Sequence, residues 1–184
     1  MRIFREKDLV ETPWKNGGGV TRTIATGTDG AGPLWRLSMA DVGADGPFSN
    51  FAGLTRILTV IRGDGMILSG PEGDFDAGFA RPVIFDGGIP VTARLKGGPL
   101  RDLNLMFDTA RCTGEASAVP GPTLIDAGGL GRICAVHAIS GQVVLNGGQG
   151  RLGMGDTAIV EDAPVALALD DGDLALVMVL RPRA

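Results

Sequence analysis

An all-β protein made of two tandem barrels is what this sequence predicts, and three observations carry the prediction. From residue 35 onward the chain breaks into short apolar or alternating runs separated by Gly, Pro and Asp, the pattern of strands joined by turns. No window keeps a 3.6-residue period, and only FREKDLVET, at residues 4–12, hints at helix. The two halves also match one another. VIFDG from Val83 aligns with AIVED from Ala158, VTARL from Val91 with VALAL from Val165, and LNLMF from Leu103 with LVMVL from Leu176, at offsets of 75, 74 and 73 residues. A repeat of that length holding several strands suits a small barrel or jelly roll that covers its own edges.

Taken in order, the first half offers LWRLSMADV, RILTVI, GMILS, PVIFDGG, VTARLK and RDLNLMF as strands. A Gly/Pro-rich stretch, TGEASAVPGPTLIDAGG, reads as a linker. Beyond it the pattern resumes with RICAVHAIS, QVVLN, DTAIVED, VALAL and DLALVMVLRP. We therefore expect an N-terminal half over residues 1–110 and a C-terminal half over 111–184, together forming one compact unit.

Bulk properties restrict function. A chain of 184 residues can bury roughly 70% of its unfolded surface, enough for a fold without staples. Its formal net charge of −4 offers no broad cationic face for nucleic acid or anionic lipid, so neither is an expected partner. The charged N-terminus MRIFREKDLV lacks the apolar core of a secretory signal, and two cysteines outside CxxC spacing suit a reducing compartment, so a cytoplasmic location is expected.

Several chemistries lack their residues. His137 is the single histidine and sits in the apolar run ICAVHAIS, which reads as a core histidine with a local partner and rules out a His-rich metal site. NGGGVTR lacks the Gly-Lys-Ser/Thr ending of a phosphate-binding loop, and GGLGRI lacks GxGxxG spacing. The acidic runs DDGD and GDFDAG do not continue into a calcium loop and read as hairpin tips. No metal and no cofactor are expected.

The positive signal is a set of polar residues inside apolar strands: Lys15 and Asn16 before three glycines, Arg22, Arg36 with Ser38, Arg56, and Asp102 with Asn104. Strand alternation places Asp102, Asn104 and Met106 on one face, opposite Leu103, Leu105 and Phe107. Thr92 and Arg94, on one face of VTARLK, become Ala166 and Ala168 in the second half, and Asn104 becomes Val177. One barrel then has a polar lining and its twin an apolar one, unless inside and outside are exchanged and these groups meet solvent. Arginines on a lined surface suit a small carboxylate ligand.

The segments PWKNGGGVTRTI, WRLSMADVGADGPFSNFAGLTRILTVIRGDG, FDGG and RDLNLMF resemble, in that order, the HutD/Ves family. The resemblance covers most of residues 10–110, departs at Ala52 and Leu103, and implies a bicupin. It also implies a binding protein of histidine utilisation that senses a small carboxylate intermediate such as urocanate, formylglutamate or formiminoglutamate. The ligand-binding residues expected are Lys15, Asn16, Arg36, Ser38, Arg56, Asp102 and Asn104, with none catalytic. A metal-independent cupin hydrolase or isomerase is the rival, with Asp102 as acid or base, although Asp102 beside Arg101 also reads as a structural ion pair. A third reading is an interaction scaffold, and an exposed strand edge would suit a homodimer.

Overall fold

The computed structural model describes residues 1–30, 32–126 and 129–183; Gly128 of the GGLGRI stretch lies outside them. The chain divides into two compact units, one of residues Val10–Cys112 and one of Met1–Leu9 with Thr113–Ala184. In chain order β1 (Arg2–Phe4) comes first, followed by β2 (Glu11–Pro13), β3 (Gly19–Asp29), β4 (Gly32–Val42), β5 (Gly46–Pro47), β6 (Leu54–Arg62), β7 (Met66–Gly70), β8 (Gly73–Ala77), β9 (Val83–Asp86), β10 (Thr92–Leu95) and β11 (Leu100–Asp108). The rest are β12 (Cys112–Val119), β13 (Thr123–Ile125), β14 (Ile133–Ser140), β15 (Gln142–Leu145), β16 (Gly150–Gly153), β17 (Thr157–Glu161), β18 (Val165–Leu169) and β19 (Leu174–Pro182).

Both units use one plan. In Val10–Cys112 a sheet ordered β2-β3-β4-β11-β6-β9 accompanies a smaller one ordered β5-β10-β7-β8. In the other unit β1-β17-β14-β19-β12 accompanies β13-β18-β15-β16. Read strand for strand, β4-β11-β6-β9 corresponds to β12-β19-β14-β17, and β5-β10-β7-β8 to β13-β18-β15-β16. The three sequence matches fall on β9 with β17, β10 with β18, and β11 with β19, so the repeat is a structural one.

Each unit has its own apolar core. Leu58, Val60, Met66, Leu68, Phe85, Val91 and Ala93 fill the first; Val136, Val143, Leu145, Leu152, Val160, Val165 and Val177 fill the second. These strands are rich in β-branched and aliphatic residues on alternate positions, which fit a pleated half-buried surface. His137 is fully buried, with its Nδ1 2.9 Å from Thr157 Oγ1, the local partner expected of a core histidine.

Several expectations need correction. Residues 1–9 belong with the C-terminal unit, because β1 pairs with β17 and Ile3 packs against that unit's core. TGEASAVPGPTLIDAGG contains β12 and β13; small Gly, Ala and Ser side chains hid the alternation that β12 shows in its exposure. GDFDAG contains the paired strand β8, with Asp76 2.5 Å from Lys96. In FREKDLVET the helical hint reduces to the 3-10 turn Glu6–Asp8, which sits between Phe4 of β1 and Glu11 and Thr12 of β2. Thr92 and Arg94 are exposed while Ala93 between them is buried, so β10 contributes no polar lining. The face carrying Leu103, Leu105 and Phe107 is buried as well, leaving β11 enclosed on both sides.

The long strand β3 was not legible in advance, and it brings an ion cluster to the first unit's larger sheet. Asp41 on β4 stands opposite Val20 on β3 and Arg101 on β11. Its carboxylate accepts hydrogen bonds from Arg101 Nε at 2.5 Å, Arg101 Nη2 at 2.9 Å and Arg22 Nη1 at 2.8 Å; Arg22 also pairs with Glu11. Arg101 is thus bound to Asp41, and the ion pair considered between Arg101 and Asp102 does not form. Hydrogen bonding by Arg101, joined by Arg22, holds the Asp41 carboxyl down at about 2. Because that value lies below the ordinary one, the stabilisation is present above about pH 4 and lost as pH falls through about 2. Urea denaturation should find Asp41→Asn less stable at pH 7 by about 1 kcal/mol, given solvent screening of this partly exposed group, with the difference vanishing near pH 2.

Candidate functional site

The stretch PWKNGGGVTR is a hairpin between β2 and β3. Gly17 N–H donates to the Trp14 carbonyl at 3.0 Å, and Trp14 N–H to the Gly19 carbonyl at 2.9 Å; Asn16 Oδ1 accepts from Gly18 N–H at 3.0 Å. Gly17 has φ +72°, a left-handed conformation that side chains resist. Gly19 lies so near β4 that an added Cβ would sit 2.3 Å from the Asp41 carbonyl oxygen. The hairpin tip, carrying Lys15 and Asn16, is thereby brought over the barrel, with Trp14 Nε1 bonded to Thr21 Oγ1 at 2.7 Å.

Below the tip lies a cavity of about 610 Å3, whose lining includes Lys15, Asn16, Arg36, Ser38, Arg56, Asp102 and Asn104. All seven residues expected from the sequence to bind a ligand therefore line one cavity. The pairing register explains why. Ala40, Asp102 and Val60 form one row across β4, β11 and β6; Ser38, Asn104 and Leu58 form the next; Arg36, Met106 and Arg56 form a third. Leu58 and Val60 belong to the barrel core, which identifies this as the inner face and settles the inside–outside alternative for these rows. A break in register between Arg101 and Asp102 against β6 marks a bulge beside the site, where bulges re-aim side chains. Arg22, in the ion cluster with Asp41, is not among the lining residues.

Arg56 is the deepest cation, 3% exposed. Its guanidinium carbon lies 5.4, 5.4 and 5.1 Å from the ring centroids of Phe48, Phe51 and Phe85, and Nη1 donates to the Ser49 carbonyl at 3.2 Å. Burial lowers its pKa to about 10, against the pull of Asp102, so it stays charged at neutral pH, and three aromatic faces help hold it. This cage was not read from the sequence; the closely spaced Phe48 and Phe51 carried its signal. Arg36, half-buried, donates through Nη2 to Thr23 Oγ1 at 2.9 Å.

Asp102 is 1% exposed, and both its oxygens, with Asn104 Oδ1 and Arg56 Nε, lack hydrogen-bond partners. Burial pushes its carboxyl up to about 7, with Arg56 opposing the rise. Among the described residues no cluster of three or more His, Cys, Asp or Glu forms a metal site. The cavity can thus present cations to an anion and a near-neutral carboxyl to a proton-bearing group.

Two outcomes follow from this geometry. Gly19→Ala should lower stability by roughly 2 kcal/mol or more, since its Cβ meets rigid backbone, whereas Gly18→Ala, whose Cβ would sit 3.4 Å from a movable Asn16 side chain, should change it by under about 0.5 kcal/mol; thermal melts compare them. For Asp102 the folded pKa is raised, so its favourable contribution is full below about pH 4 and is lost as pH rises through about 7. Asp102→Asn should accordingly gain on the wild type by on the order of 4 kcal/mol between pH 4 and pH 9, read from denaturation midpoints. A constant difference over that span would refute the burial argument.

The family model described as HutD matches residues 6–176. A Pseudomonas putida protein called "Uncharacterized 21.2 kDa protein in hutC 3'region" is 45% identical over 121 residues, 60% of each chain, and its name ties the family to the histidine-utilisation region. The matching stretch spans about 60% of the length of such curated relatives. Solved HutD from Pseudomonas fluorescens SBW25, in a formate condition, superposes with TM-score 0.86 and 31% identity over 100% of this chain and 99% of its own. A cupin barrel protein of Leptotrichia buccalis, 8% identical, superposes at TM-score 0.61 over 99% of this chain and 96% of its own, a likeness of fold alone. Matched over residues 6–176 by the HutD family model, this chain of two tandem barrels belongs to the HutD family.

Proposed function

We propose that the protein binds a small carboxylate intermediate of histidine utilisation, such as urocanate, formylglutamate or formiminoglutamate, in the cavity of its N-terminal barrel, and that occupancy serves a sensing or regulatory role. The observation that carries this reading is Arg56, a charged guanidinium buried in an aromatic cage at the cavity wall with its Nε unpartnered. A buried cation is held in such a place at a desolvation cost, and an incoming carboxylate offsets that cost through charge-assisted bonds. Arg36 shares the row and Lys15 stands on the hairpin above, so the wall is cationic. No nucleic acid, lipid surface or cofactor enters the proposal, and its setting is the cytoplasm.

A second reading rests on Asp102, whose carboxyl near 7 suits a general acid or base at neutral pH. Incubating the protein with each carboxylate and following product by mass separates the two, because saturable binding without product supports the sensor.

Calorimetric titration with urocanate, formylglutamate and formiminoglutamate tests the first reading. Arg56→Ala should weaken binding by about one to two decades, the equivalent of a charge-assisted bond of about 1.5–3 kcal/mol, with the melting curve confirming that the variant folds. Absence of binding by the wild type to any of the three carboxylates would overturn the function, and unchanged affinity in the variant would remove Arg56 from it.

A further inference from the structure

The two units treat one edge of their larger sheets differently. β9 ends the sheet β2-β3-β4-β11-β6-β9, and its counterpart β17 would end the other but for β1. There Arg2, Ile3 and Phe4 pair antiparallel with Ile159, Ala158 and Thr157, and Arg2 Nη2 donates to Glu161 at 2.8 Å. Ile84 and Asp86 of β9 match Ile159 and Glu161 at the repeat offset of 75. Ile159 is 1% exposed, whereas Ile84 is 54% exposed; Phe79, bridged to Val60 on the same margin of β6, is exposed as well. One repeat thus shows what an edge of this kind accepts, an antiparallel strand, and among the described residues no strand takes that place on β9.

The free edge of β9 is particular about its partner. Gly87 N–H donates to the Leu54 carbonyl at 2.7 Å, in register with Asp86 opposite Thr55 and Ile84 opposite Ile57. Backbone groups alternate sides along a strand, so Val83 and Phe85 likewise turn theirs to β6, while Pro82, Ile84 and Asp86 turn theirs outward. Ile84 offers both an N–H and a carbonyl. Asp86 offers its N–H alone, because its carbonyl already accepts from Ile89 N–H at 3.3 Å, and Pro82 offers a carbonyl alone, having no N–H. A proline and a short strand blunt an edge against strands in general. They leave it suited to a strand with the same two gaps, which is its own copy.

We propose that β9 pairs antiparallel with β9 of a second copy of this chain, around a two-fold axis at Ile84, joining the two larger sheets edge to edge. Ile84 then exchanges both backbone hydrogen bonds with the partner's Ile84, and Asp86 N–H donates to the partner's Pro82 carbonyl. The missing proline N–H and the occupied Asp86 carbonyl face each other, so neither gap orphans a group. Across the axis the two Ile84 side chains lie side by side, while the two Asp86 carboxylates stand about 13 Å apart along the strands, so no like charges are opposed. A pairing of this isologous kind closes on itself as a dimer. Its short edge places it among weak, concentration-dependent associations. The inference does not depend on the carboxylate reading.

Sedimentation velocity on the full chain, over about two decades of protein concentration, reads the dimer, and a thermal melt confirms that each variant folds. Ile84→Lys sets two cations directly opposite each other and is expected to weaken dimerisation by at least about tenfold. Cross-linking under a mild oxidant reads the register. Directly opposed residues of a hydrogen-bonded antiparallel pair have Cα atoms about 5.5 Å apart, within disulfide range, so Ile84→Cys should give a covalent dimer and Asp86→Cys should not. Cys112 and Cys134 are buried and do not compete. A monomer at every concentration would overturn the proposal and leave the edge to a strand of another protein. A dimer unaffected by Ile84→Lys, or equal cross-linking of the two cysteine variants, would overturn it too.

Discussion

The site depends on one constraint, the burial of a charged guanidinium within a barrel core. Arg56 occupies an inward position of β6, two residues before the core residue Leu58, and an ion there is stable only when its surroundings replace lost water. Three phenyl faces and the Ser49 carbonyl do part of that. Phe48 and Phe51 come from the segment after β5 and Phe85 from β9, so the cage draws on pieces of chain far apart in sequence. Arg56 Nε and both oxygens of the neighbouring Asp102 remain without hydrogen-bond partners.

The second barrel shows the same plan without that constraint. From the pairing registers, Cys134 stands where Arg56 does, Ala175 where Asp102 does, and Val177 and Val179 where Asn104 and Met106 do. All four are buried in one apolar core, and burial pushes the Cys134 thiol up to about 12, so it carries no charge. Exchanging an arginine, an aspartate and an asparagine for small aliphatic or thiol groups turns a lined hollow into close packing. The first barrel thus keeps a cavity with polar lining, whereas the matching positions of the second are filled by an apolar core.

Rigidity around the hollow comes from two devices on the first unit's larger sheet. The Asp41 cluster ties β3, β4 and β11 through side chains, and the glycine hairpin presses Gly19 onto the Asp41 carbonyl. Both converge on one residue, Asp41, whose side chain binds arginines while its backbone supports the loop carrying Lys15 and Asn16. The position of the cationic rim is in this way coupled to an ion cluster that is not itself part of the cavity lining.

The sequence by itself determined the all-β class, the tandem repeat and the seven polar residues, because alternation and repeat offset are local properties that a single chain displays. It also carried the contrast of Asn104 with Val177. Tertiary structure alone decided that Thr92 and Arg94 point outward while Asp102 points inward, since alternation fixes which residues share a face and not which face is covered. It decided as well that Arg101 pairs with Asp41 and leaves Asp102 alone, that three phenylalanines enclose Arg56, and that the first strand joins the C-terminal unit. These are pairings between residues distant in the chain, and strand register, the one thing that sets them, depends on which strands are neighbours.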